Sequence, residues 1–304
     1  LVIDGISGGN ISTAQAYISD VTTPATRAKG MGMLGAAFGI GFALGPAIGG
    51  ILAHFHPALP AVAAALFSGT AAVMTWYRLP EPKRHHENTE TAAWLHPSRF
   101  KPIFQNPQLV QLLGIWFFTM MAFVMLETCF AIFLNDTYGF GELAVGLFFM
   151  FAGVVIIVVQ GRMIGKWTKR FGEWKLVIVG PFLVATAMGL YVLIGAPKVP
   201  IPVHFAIALL LLAGLFNATG RSLQGPTLSS LVSQNSDRRM QGTVFGFYHM
   251  LGSLARVIGP LIAATLYTFH HTAPFLLASV MTLIIAGWTI ALRRSHHLRS
   301  AFDA

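Results

Sequence analysis

The sequence predicts an all-α, polytopic membrane protein, and three observations carry that reading. The 304 residues are 55% hydrophobic and 10% charged, with a mean hydropathy of +0.66, whereas soluble domains carry about 25% charged residues. Nine apolar segments approach the ~20 residues that a helix needs to cross a bilayer. One of them holds the stretch Gly35 to Gly50, GAAFGIGFALGPAIGG, with six glycines and a proline. In a water-exposed helix glycine costs about 1 kcal/mol and proline about 3 kcal/mol relative to alanine. In a bilayer the same small residues let two backbones approach closely, and Pro46 removes one backbone donor and bends the helix. A glycine-rich, proline-bent span is expected at a packing seam between helices that move.

The expected spans run over 1–19, 29–53, 59–77, 108–134, 143–161, 176–195, 203–224, 240–267 and 274–292. The first is the most polar and rests partly on the internal repeat described below. It puts Asp4, Gly8, Ser12, Gln15 and Ser19 on one helical face, which is expected to face a water-filled cavity or another helix rather than lipid. The second holds the glycine stretch. The third ends at a polar stretch, Arg78 to Pro107, that begins with PEPKRHHENTE and reads as a linker. The fourth places Glu127 within FVMLETCF. The fifth and sixth are almost continuously apolar and are separated by GKWTKRFGEWK, Gly165 to Lys175. The seventh carries Asn217, Arg221 and Gln224 at i, i+4 and i+7, and the eighth carries His249, Ser253, Arg256 and Pro260 at steps of four, three and four. The ninth closes the series before a basic C-terminal stretch.

With alternate loops on alternate sides, every Lys and Arg except Lys198, Arg221 and Arg256 falls on one side. The positive-inside rule makes that side cytoplasmic. The same asymmetry explains the net charge of +9 without a nucleic-acid partner. The lone Cys129 excludes an internal disulfide framework and a cysteine metal cluster, and in its apolar run it reads as a small buried hydrophobe. His54, His56, His85, His86, His270, His271, His296 and His297 lie near loops or ends without a third ligand, so no metal is expected. No cofactor motif, phosphate-binding GxxxxGK loop or H-E-x-x-H pair occurs. An ATP-driven pump and a membrane enzyme are therefore not expected.

The chain repeats itself at long range. RAKG at Arg27–Gly30 returns as RMQG at Arg239–Gly242, an offset of 212; Gly45-Pro46 returns as Gly259-Pro260, an offset of 214; Gly5 pairs with Gly214 at 209. Two spans joined by a short basic loop thus occur twice in the same orientation, the mark of a fold made from two parallel halves. Three spans precede the second copy within its half and none precedes the first, which predicts about three further helices ahead of Leu1 in a twelve-helix parent.

These residues resemble the major facilitator superfamily, its drug:proton antiporter group and, within it, the tetracycline-resistance-like branch. Gly35, Gly39, Gly45, Pro46, Gly49 and Gly50 fall on the positions of the antiporters' glycine signature in the fifth family helix. IDGISGGNISTAQAYISDVTTPATRAKG resembles the fourth helix and the loop after it. Gly165, Lys169, Arg170 and Gly172 resemble the second copy of the superfamily's cytoplasmic loop motif. The chain departs from the pattern at Leu1, where an arginine is usual, and at Lys169, where an acid is usual. The resemblance implies major facilitator-type helical bundles, with nine spans of an expected twelve. Residues 1–78 would be the last three helices of the N-terminal bundle, 79–107 a cytoplasmic linker, 108–295 the six-helix C-terminal bundle and 296–304 a cytoplasmic tail.

Ionisable groups inside spans are functional candidates by default. Asp4, Gln15, Glu127, Asn217, Arg221, Gln224, His249 and Arg256 are accordingly expected along a substrate or proton pathway. Glu127 reads either as a group that loads and releases a proton or as the structural partner of an arginine. Arg256 reads as a countercharge to a carboxylate or an anionic substrate, or as a lock between two helices. Arg221 could also snorkel to the interface. The expected function is secondary active transport by alternating access: proton-coupled export of a drug-like amphipathic molecule, in a bacterial inner membrane, by a protein that is monomeric when complete. Its partners would be the lipid bilayer, a small-molecule substrate and protons. The alternatives are a sugar or organic-anion carrier of the same fold, and a receptor, scaffold or inactive fragment that no longer transports.

Overall fold

The computed structural model describes residues 10–56, 58–78, 100–196, 202–237 and 240–302, and the secondary structure among them is helical. In order these are α1 (Asn10–Val21), α2 (Pro24–Phe55), α3 (Leu59–Arg78), the short α4 (Lys101–Gln105), α5 (Pro107–Tyr138) and α6 (Glu142–Val158). After a π-turn (Val159–Met163) come α7 (Ile164–Phe171), α8 (Glu173–Ile194), α9 (Val203–Gln234), α10 (Gln241–Phe269) and α11 (Ala273–Phe302). Asp4 and residues 79–99 of the expected linker 79–107 lie outside the described residues; the last residues of that linker hold α4, whose Ile103 is buried, and the start of α5.

Local chemistry sets the boundaries. Asn106 caps α5: its side-chain oxygen accepts from the amides of Gln108 at 3.1 Å and Leu109 at 3.2 Å, and Pro107 occupies the first turn, where a missing N–H is harmless. The Asn106 amide also donates to the Asn235 carbonyl at 2.8 Å and ties the start of α5 to the end of α9. At the other end of α5, Gly139 takes φ +67° and closes the helix.

Seven described helices are long and apolar enough to cross a membrane: α3, α5, α6 continued through α7, α8, α9, α10 and residues 273–295 of α11. The other two expected spans fall on α1 and α2, so a count of nine remains an expectation. Three elements outrun their apolar windows. α9 was expected to end near Gln224 but continues to Gln234, because Ser229, Ser230 and Ser233 are buried against protein rather than lipid. α11 continues through the basic stretch to Phe302. The expected loop Gly165–Lys175 is mostly helix: α7 sets Ile164, Trp167 and Phe171 at helical spacing with the exposed Lys166, Lys169 and Arg170 between them, and only Gly172, at φ +79°, turns the chain.

Packing follows the small residues. α8 and α9 approach most closely at Gly180 and Gly220, where a Cβ built on Gly180 would lie 2.7 Å from the Gly220 carbonyl oxygen. Phe130, Phe133, Tyr191 and Phe275 form a ring cluster joining α5, α8 and α11, with centroids 4.8 to 5.7 Å apart. Met31 of α2 belongs to a second cluster with Leu112, Val177, Leu228 and Tyr248, so residues from both expected halves share one core. Large apolar side chains such as Leu66, Phe67 and Trp76 of α3 point outward, as a bilayer permits.

The glycine-rich helix packs through its first half. Cβ atoms built on Gly32 and Gly39 would come within 2.6 and 2.7 Å of Ile164 and Ile156, and one on Gly35 would overlap the Gln160 amide. Gly45, expected at the same seam, has nothing within 4 Å among the described residues. The side chain of Pro46, and the surroundings of Gly49 and Gly50, lie outside the description. The repeat partner Gly259, in contrast, sits 3.2 Å from Val124 by the same measure.

Candidate functional site

Helix α5 presents Trp116, Thr119, Phe123 and Glu127 at steps of three, four and four, which places them on one face. The opposing face of α9 carries Asn217, Arg221 and Gln224, and α10 contributes Tyr248, His249, Gly252 and Arg256. The Gln224 amide donates to Thr119 Oγ1 at 2.9 Å. Trp116 stacks on Tyr248 with centroids 4.1 Å apart and planes 13° apart, and its indole N–H donates to the Tyr248 carbonyl at 2.8 Å. Gly252 permits that approach, since a Cβ there would be 3.3 Å from the indole nitrogen.

Arg221 is the centre of this arrangement. Its guanidinium carbon lies 3.1 Å from the centroid of the Phe123 ring, and cation–π attraction of this kind is worth ~2 kcal/mol when desolvated. Glu127 attracts it and Arg256 repels it electrostatically. Glu127 on α5 and Arg256 on α10 are thus within electrostatic reach of Arg221, two guanidiniums to one carboxylate. Arg221 Nη1 and Asn217 Oδ1 are buried and have no hydrogen-bond partner among the described residues. Glu127 and Arg256 are exposed.

A second polar link joins α1 to α10: His249 Nε2 and Gln15 Oε1 are 2.9 Å apart. Arg256 also acts on His249 electrostatically. At the end of the molecule where α2 begins, the Glu173 carboxylate accepts from Ser230 Oγ at 2.6 Å and from the Gln234 amide at 2.8 Å. Arg27, which donates to the carbonyls of Ser19 and Thr22, lies within electrostatic reach of it.

Of the expected pathway residues, Glu127, Arg221 and Arg256 are brought together, Asn217 and Gln224 share the α9 face beside them, and Gln15 pairs with His249. Asp4 lies outside the described residues. Gly165 of the expected loop motif is met by the Lys29 side chain, Arg170 lies over the Phe171 ring at 5.4 Å, and Lys169 is exposed. Sequence reasoning missed Trp116, Thr119 and Phe123, although counting back from Glu127 in helical steps finds all three. It also missed Gln160 and Glu173, whose partners are remote in sequence. No group of three or more His, Cys, Asp or Glu side chains that could hold a metal occurs among the described residues.

Comparison with known proteins adds four findings. The family model described as Major Facilitator Superfamily matches residues 1–260. Multidrug resistance protein 1 of Bacillus subtilis is 30% identical over 99% of this chain and 74% of its own length. The class B tetracycline resistance protein of Escherichia coli is 29% identical over 90% of this chain and 65% of its own length. The crystal structure of the human organic anion transporter MFSD10 (TETRAN) matches with a TM-score of 0.80 and 27% identity, over 94% of this chain and 69% of that one. The chain spans roughly 60 to 74% of the length of the curated relatives it matches. These relatives come from bacteria and from mammals, so the expected bacterial membrane is not carried by the comparison, and neither is the tetracycline-resistance branch in particular.

Proposed function

We propose, for a chain that belongs to the major facilitator superfamily, that it carries a small amphipathic organic anion across a membrane by alternating access. It is an integral membrane protein of the transporter fold and not an enzyme. The observation that carries the anion reading is the Arg221 site: a half-buried arginine whose buried Nη1 is an open donor, within electrostatic reach of a second arginine and a single carboxylate. In a low-dielectric span such a charge excess is expensive, and a bound anion would neutralise it. The organic-anion function printed for the solved human relative supports the same reading.

Proton-coupled export of a drug-like molecule is the second reading. The multidrug and tetracycline resistance names of several relatives favour it, and Glu127 would then be the coupling group. Each reading takes the protein as a monomer.

Transport into proteoliposomes by the full-length protein separates them. An anionic fluorescent dye should be moved by the wild type, and Arg221→Gln should reduce that flux by tenfold or more, about 1.4 kcal/mol or above. Movement of lipophilic cations and not of anions, abolished by Glu127→Gln, would overturn the anion reading in favour of the second.

A further inference from the structure

The α9 face that bears Arg221 has an order along it. At Gly214 the rings of Phe148 and Phe151 stand within 3.7 to 3.8 Å of where a Cβ would be. One turn further on is Asn217, whose buried Oδ1 is an acceptor with no partner among the described residues. The next turn brings Arg221, with its buried and unpartnered Nη1, and the next Gln224, whose amide is already committed to Thr119. Phe123, on the other side of Arg221, has no acceptor to offer. Read in sequence, the face runs from aromatic shelf to neutral acceptor to cationic donor.

Buried polar atoms in native structures are paired, so the two open atoms point to complementary groups on a ligand. An anion alone satisfies Arg221 and leaves Asn217 Oδ1 unpaired. A ligand that satisfies both carries an acidic group and, one helical turn away (about 5–6 Å between side-chain origins), an O–H or N–H donor. Its body lies toward the rings at Gly214.

We propose that the substrate is an aromatic carboxylic acid bearing a hydrogen-bond donor on its ring, with the carboxylate on Arg221 and the ring donor on Asn217. This rests on the anion-carrier reading and names the class of anion. Asn217 is then a specificity-determining residue: it does not decide whether anions bind, but which of them bind best.

The test compares 3-hydroxyphenylacetate with 3-methoxyphenylacetate, which keeps the ring and the charge and loses the donor. Binding to the full-length purified protein is measured by calorimetry. The wild type should prefer the hydroxy acid by about tenfold, the free-energy difference of one neutral hydrogen bond. Asn217→Leu should bring the two affinities within about twofold of one another while both still bind, and Arg221→Gln should weaken both. The wild-type pair alone is decisive even where Asn217→Leu fails to fold. Equal wild-type affinities, or a preference for the methoxy acid, would overturn the role of Asn217 and leave the anion reading standing. Failure of both acids to bind the wild type would overturn the two together.

Discussion

Gly35 and Gly45 lie in the same helix and the same sequence signature, yet their surroundings differ sharply. A methyl group at Gly35 collides with the Gln160 amide, while one at Gly45 meets nothing within 4 Å among the described residues. Gln160 lies in the π-turn between α6 and α7 and is buried, so it has little room to swing aside. Gly35→Ala should therefore impair transport by severalfold with normal membrane insertion, and Gly45→Ala should leave transport within twofold of wild type. The double variant Gly35→Ala with Gln160→Ala should recover part of the loss, since the interaction between neighbours is not additive. Equal effects of the two glycine substitutions would show that the seam lies elsewhere.

At the scale of elements, the most extensively packed helix pair is α8 with α9. Gly180 and Gly220 face one another across it, and the obstacle to a larger side chain at either is largely the partner's backbone. Backbone yields less than the end of a flexible side chain, so overpacking here should cost at least about 1–3 kcal/mol. Gly220→Val should lower the thermal unfolding midpoint in detergent by several degrees, whereas Gly225→Val, at a position with open space in the same helix, should change it little by packing alone. An unchanged midpoint in Gly220→Val would mean that α9 can shift without loss. α9 matters beyond stability, because the face bearing Asn217 and Arg221 is held by the same packing.

At the scale of the whole molecule, the contacts of α1 and α2 with the later helices include the Gln15–His249 pair, the glycine seam against α6 and α7, and Met31 in the shared core. A movement that opens a path between the halves has to break or slide these contacts. The orientation of that movement rests on charge asymmetry. Residues 83–90 should face the cytoplasm, and the turn at 138–142, between α5 and α6, the opposite side. Cys129 is buried and leaves a quiet background, so single cysteines at positions 85 and 138 can be labelled from outside intact cells. Reagent should modify position 138 and spare position 85. The reverse pattern would invert the topology.

Composition and helical period settled much of this protein from its sequence. They marked the apolar helices, because lipid demands a continuous hydrophobic run. They also marked Glu127, Arg221 and Arg256, because a charge in such a run is costly enough to stand out. Tertiary structure alone decided which of these residues meet. Nothing in the spacing of α5, α9 and α10 says that Arg221 lies on Phe123 or that Gln15 reaches His249; those contacts depend on how separate helices rotate and cross. It also decided where α9 and α7 stop. Hydropathy reads a polar residue as the end of a span, whereas a serine such as Ser230 stays inside a helix when a neighbouring helix supplies Glu173 as its hydrogen-bond partner. The glycine seam divides in the same way. Its membership in a packed helix was written in its composition, but the half of it that packs was chosen by Ile156, Gln160 and Ile164, more than a hundred residues further along the chain.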